Sequence, residues 1–169
     1  KVVIVTGGYR GIGLAIAQNF AQAGAALAIC GRNTKAGEAA AEKFRAEGIN
    51  CKFYTADVTN CADIDRFVAD VARDFGKIDV LVNNAGITDH TPAEEVTQEA
   101  YDQLMNTNVR GAFFMSGAAD ASSSVVTLIG FKLASRPADE EHPYGHARME
   151  YLSGLVVAAM ILVIGVELV

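Results

Sequence analysis

The eight residues TGGYRGIG, Thr6 to Gly13, follow directly on a short apolar run, Val2 to Val5. That run reads as a buried strand. Ile12, Ile16, Phe20 and Ala23 then recur at helical spacing on one face, so the octapeptide is a strand turning sharply into a helix. Gly7, Gly11 and Gly13 carry no side chains, which lets backbone N–H groups and the positive end of the helix approach a pyrophosphate. The same spacing also suits an ordinary tight strand–helix turn, and the rest of the chain has to decide between the two.

Reading outward, Gly24 ends the helix and Ala26 to Cys30 forms a second strand. GRNT leads from it into an alanine-rich helix, Lys35 to Glu47, closed by Gly48 as a left-handed cap. Cys51 to Thr55 reads as strand three. Thr59 is placed to cap a helix whose Ile64, Phe67, Val68, Val71 and Phe75 repeat at helical spacing, and Gly76 ends it before a fourth strand, Ile78 to Val82. The order βαβαβαβ with continuous apolar strands predicts an α/β fold, a doubly wound parallel sheet covered by helices on both faces.

The totals narrow the choice of partners. A chain of 169 residues suits one compact domain. With 14 basic against 20 acidic residues and no run of lysines or arginines, nothing attracts nucleic acid. Cys30, Cys51 and Cys61 show neither CxxC nor ligand-like spacing, which reads as reduced thiols in a cytosolic compartment. Lys1 opens on the apolar run without an initiator methionine or signal-peptide pattern, and the chain stops inside an apolar run at Val169, so both ends read as trimmed.

Two side-chain patterns carry chemistry. Strand two ends in CGRN, with Gly31 where a ribose-binding acid is expected, Arg32 just after it, and Arg10 before Gly11 in the glycine turn. Two guanidiniums suit a 2′-phosphate, which favours NADP over NAD; the alternative is two ordinary solvated arginines. Asn108 falls on the apolar stripe Leu104, Met105, Val109 and Ala112 of the helix after Thr97. A buried amide there needs partners, either a polar network or a neighbouring backbone group.

Four motifs now stand in order: TGxxxGIG at Thr6 to Gly13, Asp57 with Val58, NNAG at Asn83 to Gly86 and NVRG at Asn108 to Gly111. Together they resemble the short-chain dehydrogenase/reductase family. The resemblance implies a Rossmann-like fold with the cofactor held at Thr6, Gly7, Gly11, Ile12 and Gly13, to which the charge of Arg10 and Arg32 adds a place for the 2′-phosphate. It also implies Asp57 and Val58 near the adenine, Asn84, Ala85 and Gly86 beside the cofactor, and Asn108 as a catalytic residue supporting a proton relay. The family completes its site with a serine, a tyrosine and a lysine four beyond the tyrosine. No Tyr-x-x-x-Lys occurs here; Tyr144 with Arg148 is the near match, and a rigid arginine fork substitutes poorly for an ammonium that must reach both ribose and phenol. The sheet is therefore expected to be incomplete and the reductase inactive. The interval from Asn108 to SSVVTLIG, Ser123 to Gly130, is short for a fifth strand, which predicts that the preceding helix ends early, near Gly117.

From Asp120 the composition changes, and the last fifty residues resemble a cation diffusion facilitator, a metal/proton exchanger. The specific part is PADEEHPYGHARMEY, which places Tyr144 between two histidines of a metal-loop signature. The resemblance implies a two-helix apolar hairpin similar to transporter membrane helices, with Asp120 matching an intramembrane metal aspartate and Ser116 standing where a second ligand belongs. Leu152 to Val169 gives eighteen residues with one charge, Glu167, enough for about 27 Å of helix and nearly a membrane span; a buried core helix is the alternative. Lys132, Arg136 and Arg148 flank the loop and put it on the cytoplasmic side. Asp139, His142 and His146 form a ligand set that suits zinc, against the alternative of an exposed polar loop.

The expectation is thus a nucleotide-binding domain over residues 1–117, cytoplasmic and NADP-preferring, joined to a membrane-associating, cation-binding fragment over 118–169. A soluble nucleotide-binding module that uses the tail as a replacement strand and helix is the third reading. Substrate and oligomeric state stay open.

Overall fold

The computed structural model describes residues 1–92 and 94–121. The chain divides into two compact units, Lys1–Ser122 and Ser123–Val169. The apolar hairpin, the strand at Ser123 to Gly130, the Tyr144 and Arg148 pair and the ligand set Asp139, His142 and His146 lie outside the described residues.

Strand β1 (Val2–Thr6) is followed by α1 (Gly11–Gln22), β2 (Ala26–Gly31), α2 (Thr34–Ala46), β3 (Cys51–Thr55), α3 (Cys61–Phe75), β4 (Val80–Val82) and α4 (Gln98–Met105). A π-helical turn, Asn106–Arg110, carries α4 into a further helix, α5, at 111–121. The four strands are parallel in the order β3-β2-β1-β4, with Ile4 opposite Ala28 on one side and Leu81 on the other. The chain therefore builds outward from β1 through β2 to β3, then returns to lay β4 on the other side of β1. That reversal leaves a crevice at the carboxyl ends of β1 and β4, where open α/β sheets take their ligands.

Alternate strand residues face opposite layers, as a pleated strand demands. Val3, Val5, Leu27 and Ile29 pack with Ala17 and Ala21 of α1 and with Ala41 and Phe44 of α2. Val2, Ile4, Ala28 and Cys30 face the other way, onto Ile64, Phe67 and Val71 of α3 and Met115 of α5. Each large side chain buried this way contributes about 1.5–3 kcal/mol, so both layers are needed to hold the sheet. Burial pushes the Cys30 and Cys51 thiols up to about 12, which keeps both protonated and unreactive in the core.

Four expectations need correction. The fully buried positions of α1 are Gly13, Ala17 and Ala21; of the expected stripe, Ile16 and Phe20 pack against the same core only partly buried, and Ile12 is 76% exposed. Small residues let the helix axis sit close to the sheet, so the larger side chains are pushed to its flanks. The cap of α3 is Asn60, whose Oδ1 accepts from the N–H groups of Ala62 (2.9 Å) and Asp63 (3.4 Å). Thr59 instead donates its N–H and hydroxyl to Asp57 Oδ1, at 2.9 and 2.8 Å. Strand β4 starts at Val80; just before it Asp79 is tied to Val2 twice, its N–H donating to Val2 O at 2.9 Å and its carboxylate accepting from the Val2 N–H at 2.6 Å. The helix does not stop near Gly117 but runs through 121. An exposed glycine costs about 1 kcal/mol in a helix, too little to end one anchored by the fully buried Met115.

At the rim of this layer Lys52 Nζ and the Tyr54 hydroxyl both donate to Asp74 Oδ2, the latter at 2.8 Å, while Arg73 Nε reaches Oδ1 at 3.1 Å. The Lys52 and Tyr54 hydrogen bonds hold the Asp74 carboxyl down to about 2, below its ordinary 3.8. A carboxyl depressed in the folded state stabilises the fold fully above its unfolded pKa and loses that contribution as pH falls through the folded one. Thermal melts of the wild type should therefore drop between about pH 4 and about pH 2, and Asp74→Asn should show a shallower drop over the same window. Superimposable acid limbs would contradict the assignment.

Candidate functional site

The site is built where β1 gives way to α1. Gly7 N–H donates to Cys30 O at 2.9 Å and Gly8 N–H to Val5 O at 3.2 Å, which folds the chain back at the end of the strand. Gly11 has φ +55°, in the left-handed region, so a side chain there would be strained. Among α1, α2, α3 and α4, only α1 has no side-chain cap; Asn33, Asn60 and Thr97 cap the other three. The first N–H groups of α1 thus open onto the crevice with the positive end of the helix dipole behind them.

Gly13 explains how the turn is held. A Cβ at this position would overlap Asn84 Nδ2 and stand 2.5 Å from Gly7 O. Asn84 reaches this point because its Nδ2 donates to Thr6 O at 2.9 Å, while its N–H and that of Ala85 both donate to Thr6 Oγ1 at 2.9 Å. Thr6 is 2% exposed. It faces no ligand space and acts as the knot between the ends of β1 and β4.

The loop after β4 is held from above by Asn108, whose Oδ1 accepts from Ile87 N–H at 2.9 Å and whose Nδ2 donates to Ile87 O at 2.8 Å. The expected burial of this amide is wrong. Asn108 is exposed and Val109 is 53% exposed, because the π turn breaks the 3.6-residue period and rotates the stripe away. Both of its polar atoms nonetheless engage one backbone unit, the second of the two arrangements the sequence allowed. The glycine of NVRG has a steric reason as well: a Cβ on Gly111 would stand 2.7 Å from Val58 O, so α5 lies directly against the loop after β3.

A cleft of about 480 Å³ runs across these elements. Every cofactor-site residue expected from the sequence lines it except Thr6, which stands behind it. Asp57 and Val58 border it on the β3 side, and the Arg32 guanidinium lies 3.8 Å from Asp57 Oδ2. Asn108 stands outside the lining, and its neighbour Thr107 inside. Tyr9, Ile87 and Thr107 were missed by sequence reasoning. Tyr9 sits inside the glycine motif, where only its ring contacts distinguish it from a spacer.

Asp120, expected from the sequence as a metal ligand, is exposed on α5. Ser116 is committed elsewhere, accepting from Asn83 Nδ2 at 3.0 Å and donating to Ala112 O at 2.9 Å. Among the described residues no group of three or more histidine, cysteine, aspartate or glutamate side chains converges, and no helix is long and apolar enough to cross a membrane.

Sheet order, crevice and glycine turn define a Rossmann-like α/β domain. The short chain dehydrogenase family model matches residues 1–122, and the chain belongs to that family. A second model, the cation efflux transmembrane domain, matches residues 112–169. The chain is 42% identical over 115 residues to a gluconate 5-dehydrogenase of Gluconobacter oxydans and to a sorbitol dehydrogenase of Cereibacter sphaeroides. Each alignment covers 68% of this chain, and 45% and 44% of the relative, so the chain spans less than half the length of either. Among solved structures it is similar to an actinorhodin polyketide ketoreductase with NADPH, at TM-score 0.71 and 29% identity over 75% of this chain and 49% of the other. It is also similar to a blue fluorescent protein from a metagenomic library in complex with NADPH, at TM-score 0.68 and 38% identity over 72% and 51%.

Proposed function

We propose that the cleft holds a nicotinamide dinucleotide, NADP in preference to NAD, as the cofactor-gripping part of a short-chain oxidoreductase, and that this chain binds it without turnover. The observation that carries the reading is the uncapped start of α1, facing the cleft where Gly13 admits no side chain. Those N–H groups would hold the pyrophosphate, Arg10 and Arg32 a phosphate on the ribose, and Asp57 and Val58 would border the adenine. Asn84 to Gly86, kept in place by Thr6 and by the Asn108 grip on Ile87, would flank the nicotinamide side. When bound, the dinucleotide supplies hydride for interconverting a carbonyl and an alcohol. The chain has no Tyr-x-x-x-Lys to pass the accompanying proton, which supports binding without reaction. The similar structures solved with NADPH support the choice of nucleotide.

In thermal melts, NADPH at a hundred times its Kd should stabilise the chain by about 2.7 kcal/mol, with NADH weaker at equal concentration. Carbonyl substrates should leave NADPH unconsumed. Melts indifferent to both nucleotides would reject the cofactor assignment, and steady consumption abolished by Tyr144→Phe would reject the inactivity.

The match of residues 112–169 to a cation efflux domain favours a second reading for the tail: membrane association through 152–169, binding of a divalent cation of the zinc type in the loop by Asp139, His142 and His146, and Asp120 as a separate, intramembrane cation ligand. Zinc titration of the wild type and of the His142→Ala and His146→Ala variants tests it; equal affinities in all three would dismiss the loop as a ligand set.

A further inference from the structure

The adenosine end of the cleft contains an aromatic ring that the glycine motif does not require. Tyr9 packs edge-on against Phe53, with centroids 5.9 Å apart and planes at 83°, and the Arg10 guanidinium lies 5.9 Å from the Tyr9 ring centre. The ring is seated over Gly31, the last residue of β2. A Cβ there would overlap Tyr9 Cε1 and stand 3.0 Å from Cδ1. Position 31 is where an acid that binds a free ribose 2′-hydroxyl would project. In this chain the tyrosine fills that space, so the end of β2 cannot carry any side chain while the ring is in place.

The adjoining recess, about 460 Å³, is lined by Tyr9, Arg10, Arg32, Asn33 and Thr34. Its two charged groups are both cationic. Asn33 Oδ1 is committed to the Ala36 N–H at 3.0 Å, and the Thr34 hydroxyl shares a 2.9 Å hydrogen bond with Thr55. A dianion meets two guanidiniums there, one of which, Arg32, also faces Asp57 Oδ2 at 3.8 Å.

We infer that Tyr9 is a specificity-determining residue: its ring bars a carboxylate from the end of β2 and holds Arg10 toward a phosphate on the 2′ position of an adenosine ribose. This rests on the nucleotide reading above and adds to it a cause for the preference, the packing of Tyr9 on Gly31 rather than the arginines alone.

The test uses the full chain and two adenosine-end probes, adenosine 2′,5′-bisphosphate and adenosine 5′-monophosphate, with affinities measured by calorimetry. Wild type should prefer the bisphosphate. Tyr9→Ser should reduce that preference by about two- to fivefold, the loss of one exposed cation–π contact, and Tyr9→Phe should retain it. Gly31→Asp alone should lower the melting temperature by forcing the ring out, without gaining affinity for the monophosphate. Combined with Tyr9→Ser, the same aspartate should restore the melting temperature and prefer the monophosphate, a non-additivity expected of residues in contact. An unchanged ratio in Tyr9→Ser, or a Gly31→Asp single variant that behaves like the double, overturns the role of Tyr9 and leaves the nucleotide reading intact. A wild type that binds neither probe overturns both.

Discussion

Gly13→Ala should abolish nucleotide binding and lower the melting temperature of the chain by about 8–12 °C, from about 2–3 kcal/mol of overpacking in a domain of this size. Alanine gains about 1 kcal/mol over glycine in a helix, so propensity alone predicts the opposite sign. Sterics win here because the added Cβ meets backbone: it would stand 2.5 Å from Gly7 O and 3.0 Å from Gly7 C, and overlap Asn84 Nδ2. Asn84 cannot swing aside without releasing Thr6 O, and Gly7 cannot retreat without breaking its hydrogen bond to Cys30 O. The first turn of α1 must then shift away from β4, taking its N–H groups out of line. Melts followed by circular dichroism and an NADPH titration check both halves of the expectation. A variant with wild-type melting and affinity would show that the turn is looser than this packing demands.

Thr6→Val should cost about 2–3 kcal/mol although the two side chains have nearly the same shape. Valine removes the acceptor of the Ala85 N–H and one of the two acceptors of the Asn84 N–H, which keeps only Val82 O at 3.1 Å. A half-buried donor left without an acceptor costs about 1–3 kcal/mol, and the loop after β4 loses its anchor on β1. Thr6→Ser keeps the hydroxyl and forfeits one methyl, about 0.8 kcal/mol. Urea unfolding of the three proteins separates these terms. Equal losses for valine and serine would place the cost in packing and remove the knot from the account. NADPH affinity should follow the same order, since Asn84 and Ala85 line the cleft that Thr6 never touches.

The two variants also show which parts of the site could be read in advance. Gly7, Gly11 and Gly13 were legible because their spacing marks a strand–helix turn. The alternation of strands and helices was legible for a similar reason: Val2 to Val5, Ala26 to Cys30 and Cys51 to Thr55 are apolar runs between glycine and asparagine punctuation. Arg10 and Arg32 were legible as a pair of charges near one strand end. Thr6 read as a ligand contact and proved to be a buried anchor, because its partners, Asn84 and Ala85, lie 78 and 79 residues away. The α3 cap moved from Thr59 to Asn60: both residue types cap helices, asparagine the better of the two, and Thr59 is already engaged with Asp57.

Asn108 makes the same point in another form. Its position on an apolar stripe suggested burial, yet the π turn at Asn106–Arg110 puts it at the surface with both polar atoms on Ile87. A one-residue change in helical register reverses an inference drawn from period alone. The close approach of Gly111 to Val58 O sets the position of this helix against the cleft, and nothing in NVRG by itself says what the glycine must clear.

By itself the sequence determined the order of elements, the strand–helix turn and the family, because hydrophobic period, caps and turn residues act over a few neighbours along the chain. The tertiary structure alone decided that Ala17 and Ala21, not Ile12, face the sheet, that Thr6 is a knot, that Asn108 grips Ile87 and that Tyr9 covers Gly31. These depend on which atoms meet across twenty to eighty residues of chain. Steric exclusion and hydrogen-bond partners at that distance are properties of the packed sheet, and no local pattern encodes them.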